Sequence, residues 1–227
     1  LPKKSMISIY TFTLGREYYL NNLLRSIKQQ NLTGVDIEHI VVCQGVNIDS
    51  GNKSDFTKFV YWDKNVGIAE GMNRILPTLR GDIIIKLDED ALLYGTEFFQ
   101  HVLQVVEQKP DAVWSPYPVG LIRNPGGPHG ISHEVIYSAA LNTYYTLRKV
   151  SHVGGFARIS PRQKKNWKFD NDLSQGQSGN EDVQFSGKCK HYGIDMFYTE
   201  NNLIVEHQES TLGQHTRYGE SYFKGRF

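Results

Sequence analysis

Long apolar runs are missing from this chain of 227 residues. None approaches the roughly 18 residues that a helix needs to cross a bilayer. Net charge is nearly absent too: 25 Lys and Arg stand against 24 Asp and Glu, leaving +1. Bulk charge therefore does not single out nucleic acid or an anionic membrane as a partner. Cysteine is scarce. Cys43 and Cys189 lie far apart with no metal-ligand spacing, and they read as buried free thiols in a reducing, cytoplasmic compartment. No apolar stretch follows Leu1-Pro2-Lys3-Lys4, so this start is not read as a signal peptide. It lacks Met, which suits a processed chain or a piece of a longer one. Internal repeats, low-complexity tracts and domain-splitting linkers are also missing, so one domain over residues 1–227 is expected. What is plentiful is aromatic: 13 Tyr, 11 Phe and 3 Trp. Such a surplus suits stacking on sugars or bases, and equally an aromatic core.

The first half alternates strand and helix. Residues 6–12 read as a strand and Thr13-Leu14-Gly15-Arg16 as a turn. Leu20, Leu23, Leu24 and Ile27 then recur at helical spacing within 17–30. Strands are expected at 37–43 and, at a sheet edge because of its polar residues, 56–62. A helix from the Lys64–Gly67 turn to about residue 79 precedes Gly81, read as its left-handed terminating glycine. Another helix is expected over 96–108. This alternation argues for a parallel sheet with right-handed crossovers. The second half is less regular. Strands are expected at 112–115, 194–198 and 203–206, and a helix at 181–192 with Gly193 after it. Residues 133–147 read as a mixture of strand and short helix. The Gly/Pro-rich stretch 123–130, with Arg123 and His129, and the polar stretch 174–180 read as loops. Residues 161–168 form a basic surface segment, and 208–227 an extended tail.

One stretch draws the rest around it: Gly81 to Leu93, G-D-I-I-I-K-L-D-E-D-A-L-L. A short unbroken apolar run reads as a strand buried on both faces. If the chain stays extended beyond it, Asp88 and Asp90 point one way and Glu89 the other. Neighbouring carboxylates at a buried strand end are costly without positive charge between them. The carboxyl end of a strand in an open α/β sheet is where ligands bind. A divalent cation with a phosphate-bearing ligand meets both conditions; an acidic polar turn is the plainer alternative.

The chain also resembles a known family at several points in order. Ile7–Ile27 looks like the opening strand, turn and helix of family 2 glycosyltransferases with the GT-A fold. Asn65-Val66-Gly67 through Met72-Asn73 and Gly81-Asp82 is similar to the family's N-x-G…N…G-D run. Asp88-Glu89-Asp90 falls at its D-x-D motif, Gly154-Gly155-Phe156 at its G-G-F turn, and Glu181-Asp182 at its E-D pair. The resemblance implies a nucleotide-binding α/β/α sandwich with a mostly parallel central sheet and an irregular acceptor-side half. Residues 6–110 would bind the donor, 111–207 the acceptor, with 208–227 as a tail.

By that resemblance, Asp90 ligates Mn²⁺ or Mg²⁺. Asp88 assists the metal or contacts the ribose, and His207 is a late metal or diphosphate ligand. Hard oxygen ligands suit these ions rather than zinc. Glu89 is expected to face away. Asp182 is the implied general base that takes the acceptor hydroxyl's proton, with Glu181 as understudy, and a single displacement inverts the anomeric centre. Acidic residues at a helix start are also what caps look like, and His207 can be a merely packed imidazole. Thr13, Arg16, Gln44 and Asn65 are implied donor-side residues; Asn65 and Asn73 can equally fold their turns. Trp114, Tyr117 and Trp167 are candidate sugar platforms or packing residues.

Two departures bear on the nucleotide. Gln44 stands where the family usually has a base-contacting Asp, though an amide can still hydrogen-bond a base edge. Met72 stands where the family often has Arg, a contact that Lys64, Arg74 or Lys86 could replace. The expected activity is transfer of a sugar from a nucleotide donor, UDP first, to a hydroxyl of a glycan, protein or lipid. The alternatives are a non-catalytic carbohydrate- or nucleotide-binding module, or a transferase acting on a nucleic-acid base. A sugar-nucleotide pyrophosphorylase is disfavoured, because Phe12–Arg16 is too poor in glycine for its loop.

Overall fold

A computed structural model describes residues 5–48, 50–119, 132–161, 166–170 and 180–208. Arg123, His129 and the 123–130 stretch lie outside these residues. So do 174–179, residues 162–165 of the basic segment, and everything beyond Gln208.

The architecture starts from strands whose side chains are apolar on both faces. β1 (Met6–Thr13) lies between β2 (Asp36–Gln44) and β4 (Ile83–Leu87), parallel to both, and β3 (Thr57–Trp62) pairs in parallel with β2 at the sheet edge. All five residues of β4 are buried, as its uninterrupted pattern predicts. Alternation sorts the inner side chains onto two faces. Ile7, Ile9, Ile83 and Ile85 pack with Leu23 and Ile27 of α1 (Glu17–Lys28) and Phe99 and Val102 of α3 (Phe98–Gln108). Tyr10, Val42 and Ile84 pack with Met72 and Ile75 of α2 (Ile68–Ile75) and Phe185 and Cys189 of α4 (Asn180–His191). The result is a sheet between two helical layers. No helix among the described residues is long and apolar enough to cross a membrane.

Beyond β4 the sheet becomes mixed. β5 (Ala91–Leu93) leaves for a second sheet, while β6 (Val113–Ser115) returns to the first. β7 (Tyr117–Val119) joins β5 in that second sheet. β8 (Ser132–Ser138) and β9 (Thr143–Lys149) form an antiparallel hairpin, so the short helix expected within 133–147 is absent. β10 (Ala157–Pro161) inserts antiparallel between β4 and β6, and β11 (Met196–Thr199) runs parallel to β6. The large sheet has the order β3-β2-β1-β4-β10-β6-β11-β9-β8. β12 (Ile204–His207) sits between β5 and β7 in the three-stranded sheet.

Two local expectations change. α2 ends at Ile75, and Leu76–Thr78, containing Pro77, forms a 3₁₀ turn rather than a continued helix; proline cannot continue the backbone hydrogen-bond ladder. Gly81 is not a left-handed helix terminator. Its amide donates to Ser8 Oγ at 2.6 Å, and an added Cβ would lie 2.5 Å from the Ser8 backbone nitrogen. Close approach, not positive φ, requires glycine there. Gly193 does take the left-handed conformation after α4, at φ +66°.

Candidate active site

Parallel pairing brings the carboxyl ends of β1, β2 and β4 to one edge, and with them Thr13, Gln44 and Asp88. Antiparallel β10 enters at that same edge: Ala157 is opposite Leu87, and the Asp88 amide donates to the Phe156 carbonyl at 2.8 Å. The Gly154-Gly155-Phe156 turn thus abuts the acidic end of β4. The small sheet completes the edge, because His207 of β12 is the register partner of Ala91.

The chain does not stay extended through Asp88-Glu89-Asp90. The Ala91 amide donates to the Asp88 carbonyl at 3.0 Å, closing a turn, so simple strand alternation no longer assigns the three side chains. Asp88, with a side chain 36% exposed, pairs with Lys86 Nζ at 2.9 Å. Asp90 is buried; its Oδ2 lies 3.2 Å from an Arg16 terminal nitrogen and 3.6 Å from His207 Nε2. Glu89 does not face away from this group. It accepts hydrogen bonds from the Thr13 hydroxyl and from Arg16 Nε, the latter at 2.6 Å. One guanidinium therefore bridges Glu89 and Asp90, supplying the positive charge that adjacent buried carboxylates demand. Gln208 locks the arrangement: its amide donates to the Asp90 carbonyl at 2.9 Å, and its side chain donates to the Ala91 carbonyl at 3.1 Å.

The second half of the site lies under the start of α4. Lys86 is fully enclosed; its Nζ donates to the Gly155 carbonyl and stands 2.9 Å from Asp88 Oδ1 and 3.8 Å from Glu181 Oε1. Burial works against its charge, but Asp88, Asp182 and Glu181 outweigh that and raise its pKa. Asp182 pairs with Arg158 at 3.2 Å. Burial pushes the Asp182 carboxyl up to about 7, with Glu181 and Asp88 adding to the rise and Lys86 and Arg158 opposing it. A carboxyl near neutrality can be ionised yet accept a proton, the balance a general base needs.

The other expected donor-side residues have structural duties. Gln44 is buried, and its Oε1 accepts from the Val66 amide at 2.9 Å. Asn65 Oδ1 accepts from the Gly67 amide at 2.8 Å, folding the turn into α2. Asn73 makes two hydrogen bonds, both 2.8 Å, with the Phe169 backbone. Trp114 is a core residue, stacked on Phe197 at 5.2 Å. Trp167 packs on Phe185 and Tyr192. Arg74 pairs with Glu70 on the exposed side of α2. Arg158 went unrecognised in the sequence; its signal was a lone cation inside the apolar strand A-R-I-S-P, as Lys86 is in I-I-I-K-L.

Among the described residues, no three His, Cys, Asp or Glu side chains converge as a protein-only metal cage. A divalent ion held together with donor phosphates keeps much of its shell for phosphate oxygens and water, and needs only one or two carboxylates from the protein. Asp90 with His207 at 3.6 Å, and Asp88 with its partly exposed carboxylate, fit that smaller demand.

No family model matches the sequence, and no curated protein matches it either. Solved structures match the fold. GalNAc-T7, crystallised with UDP, GalNAc and Mn²⁺, gives a TM-score of 0.63 at 10% identity, over 89% of this chain and 43% of that one. Staphylococcus aureus TarS 1–349 in complex with UDP gives 0.64 at 16% identity, over 88% of this chain and 60% of that one. A further structure of TarS 1–349 gives 0.64 at 17%, over 92% and 62%. This chain thus spans less than two thirds of each of these proteins. The shared architecture is the GT-A fold, as the sequence resemblance implied.

Proposed function

We propose that this chain is a metal-dependent glycosyltransferase that moves a sugar from a nucleotide donor, UDP first, to a hydroxyl of a glycan, protein or lipid acceptor, with inversion. The observation that carries the reading is the coupling of two acidic centres on one sheet edge. Lys86 joins Asp88, at the expected donor end, to Glu181 beside Asp182, at the expected acceptor end. Burial that pushes the Asp182 carboxyl up to about 7 suits a base, and the likeness to structures holding UDP, one of them with Mn²⁺, supports the donor class.

In this reading the acceptor oxygen attacks the anomeric carbon as its proton passes to Asp182. The bond between that carbon and the diphosphate oxygen breaks, and its electron pair leaves with the diphosphate. Asp90 and His207, with Asp88 beside them, would hold Mn²⁺ or Mg²⁺; the ion supplies counter-charge to the leaving diphosphate. Arg16 organises Glu89 and Asp90 rather than reaching outward. Thr13, Asn65 and Gln44 shape the walls of the donor cleft, and Gln44 keeps its amide nitrogen for a base edge. Glu181 serves as counter-charge to Lys86. We place the protein in a reducing, cytoplasmic setting, the reading suggested by two buried cysteines far apart in the sequence. A panel of nucleotide sugars with Mn²⁺ or Mg²⁺ tests the proposal. Transfer or slow donor hydrolysis that disappears in Asp90→Ala and Asp182→Asn is expected; neither binding nor turnover across the panel would sink it.

A further inference from the structure

Arg158 has no part in the scheme above, yet it is among the most enclosed cations of the described residues, 2% exposed. The register of β10 sets it opposite Lys86, and β1 sets Tyr10 on the other side of Lys86. Tyr10, Lys86 and Arg158 thus form one row across the sheet beneath α4. A guanidinium stays charged in a protein, so enclosing it requires an anion or a π face. Arg158 has both. Its guanidinium carbon lies 3.6 Å from the centre of the Phe185 ring, while one terminal nitrogen is 3.2 Å from Asp182 Oδ1. The other terminal nitrogen lies 4.0 Å from Met72 Sδ. The phenyl face sets the plane of the guanidinium, and the carboxylate takes its edge.

Asp182 also lies against the glycine turn: a Cβ added at Gly155 would overlap its Oδ2, so glycine there makes room for the carboxylate. The charged and titratable groups facing Asp182 are Lys86 and Asp88 at the end of β4, Tyr198 on β11, Glu181 on its own helix, and Arg158. Of these, Arg158 donates a hydrogen bond to the Asp182 carboxylate.

We propose that Arg158 is the positioning residue of the transfer reaction: clamped on Phe185, it fixes the rotation of the Asp182 carboxylate so that the lone pairs it leaves keep one orientation toward the acceptor hydroxyl. This rests on the assignment of Asp182 as the base. It explains why a permanently charged side chain interrupts the apolar strand. It also assigns Met72 a purpose, since a side chain without charge at that position leaves the guanidinium to Asp182.

Arg158→Lys, Arg158→Gln and Arg158→Ala, compared with wild type and Asp182→Asn, test the proposal. Lysine keeps the charge and loses the planar fork. Arg158→Lys is expected to lower kcat about 10- to 100-fold at an unchanged donor KM, the scale of a misplaced reacting group, with the acid limb of its pH profile unmoved. Arg158→Gln removes the charge too, so its acid limb moves to higher pH. Added guanidinium is expected to restore part of the activity of Arg158→Ala but not of Asp182→Asn. Near-wild-type kcat in Arg158→Lys, or losses that only track the folded fraction measured by thermal unfolding, would overturn the proposal. Wild-type turnover by Asp182→Asn would instead overturn the base assignment itself.

Discussion

At the scale of single residues, Asp182 carries the sharpest expectation. A base must be ionised to accept a proton, and burial holds this carboxyl up at about 7. kcat/KM is therefore expected to fall as pH drops below 7 and to level off above it. Asp182→Asn is expected to lower transfer at least about 100-fold, the usual weight of a general base; a pH series of initial rates checks both. Asp90 makes a separable prediction. Asp90→Ala should weaken Mn²⁺-dependent nucleotide binding in calorimetry while metal-free nucleotide binding changes little, because Asp90 is a buried carboxylate 3.6 Å from His207. At this scale the sequence offered Asp88, Asp90 and Asp182 as candidates, because a motif names residue types. It was silent on Arg16 as a bridge between Glu89 and Asp90, because an ion pair across 73 positions leaves no local pattern.

Among the secondary-structure elements, the tight junctions between strands decide what can change. Gly81 sits against Ser8, where a Cβ would lie 2.5 Å from backbone nitrogen and 2.6 Å from Oγ. Ser8 Oγ in turn donates to Glu38 at 2.5 Å, and Glu38 accepts from the Arg80 amide at 2.7 Å and from its Nε at 2.7 Å. Backbone cannot swing aside as a side chain can, so Gly81→Ala is expected to cost about 1–3 kcal/mol, the range of overpacked cores, read from urea unfolding. The elements themselves were mostly readable. α1 announces itself by Leu20, Leu23, Leu24 and Ile27, all buried. The hairpin β8–β9 did not: Val135, Tyr137 and Tyr144 share its exposed face while Ile136 and Tyr145 share the inner one, so large apolar side chains occupy both faces and the two-residue contrast of apolar and polar is lost in the sequence.

For the molecule as a whole, pH and ligand act on the same folding equilibrium. His39 is fully buried, 3.1 Å from the Thr11 hydroxyl, and burial lowers its pKa to about 3. The fold keeps it neutral. Below its ordinary value of about 6.5 the unfolded chain takes up a proton that the fold refuses, so this contribution is complete above that pH and lost as pH falls toward 3. Between pH 7 and pH 5 the loss amounts to about 2 kcal/mol, and His39→Gln is expected to lose correspondingly less over the same interval in denaturant titrations. Ligand works in the opposite direction. UDP with Mn²⁺ at about 100 times its Kd should stabilise the chain by about 2.7 kcal/mol, raising Tm by several degrees, and Asp90→Ala should abolish most of that shift.

Taken alone, the sequence determined the alternation of strand and helix from Met6 to Gln108, the fully buried strand Ile83–Leu87, and the acidic group at its end. These rest on short-range physics: side-chain period, turn residues and continuous apolar runs. The tertiary structure decided how distant pieces meet. Antiparallel β10 brings Gly155 and Arg158 to Lys86, β12 returns His207 to Asp90, and α4 lowers Asp182 onto Arg158. Strand order and register arise from which packed sheet buries the most apolar surface with every inner charge matched. That balance belongs to the whole molecule and is written in no single stretch of it.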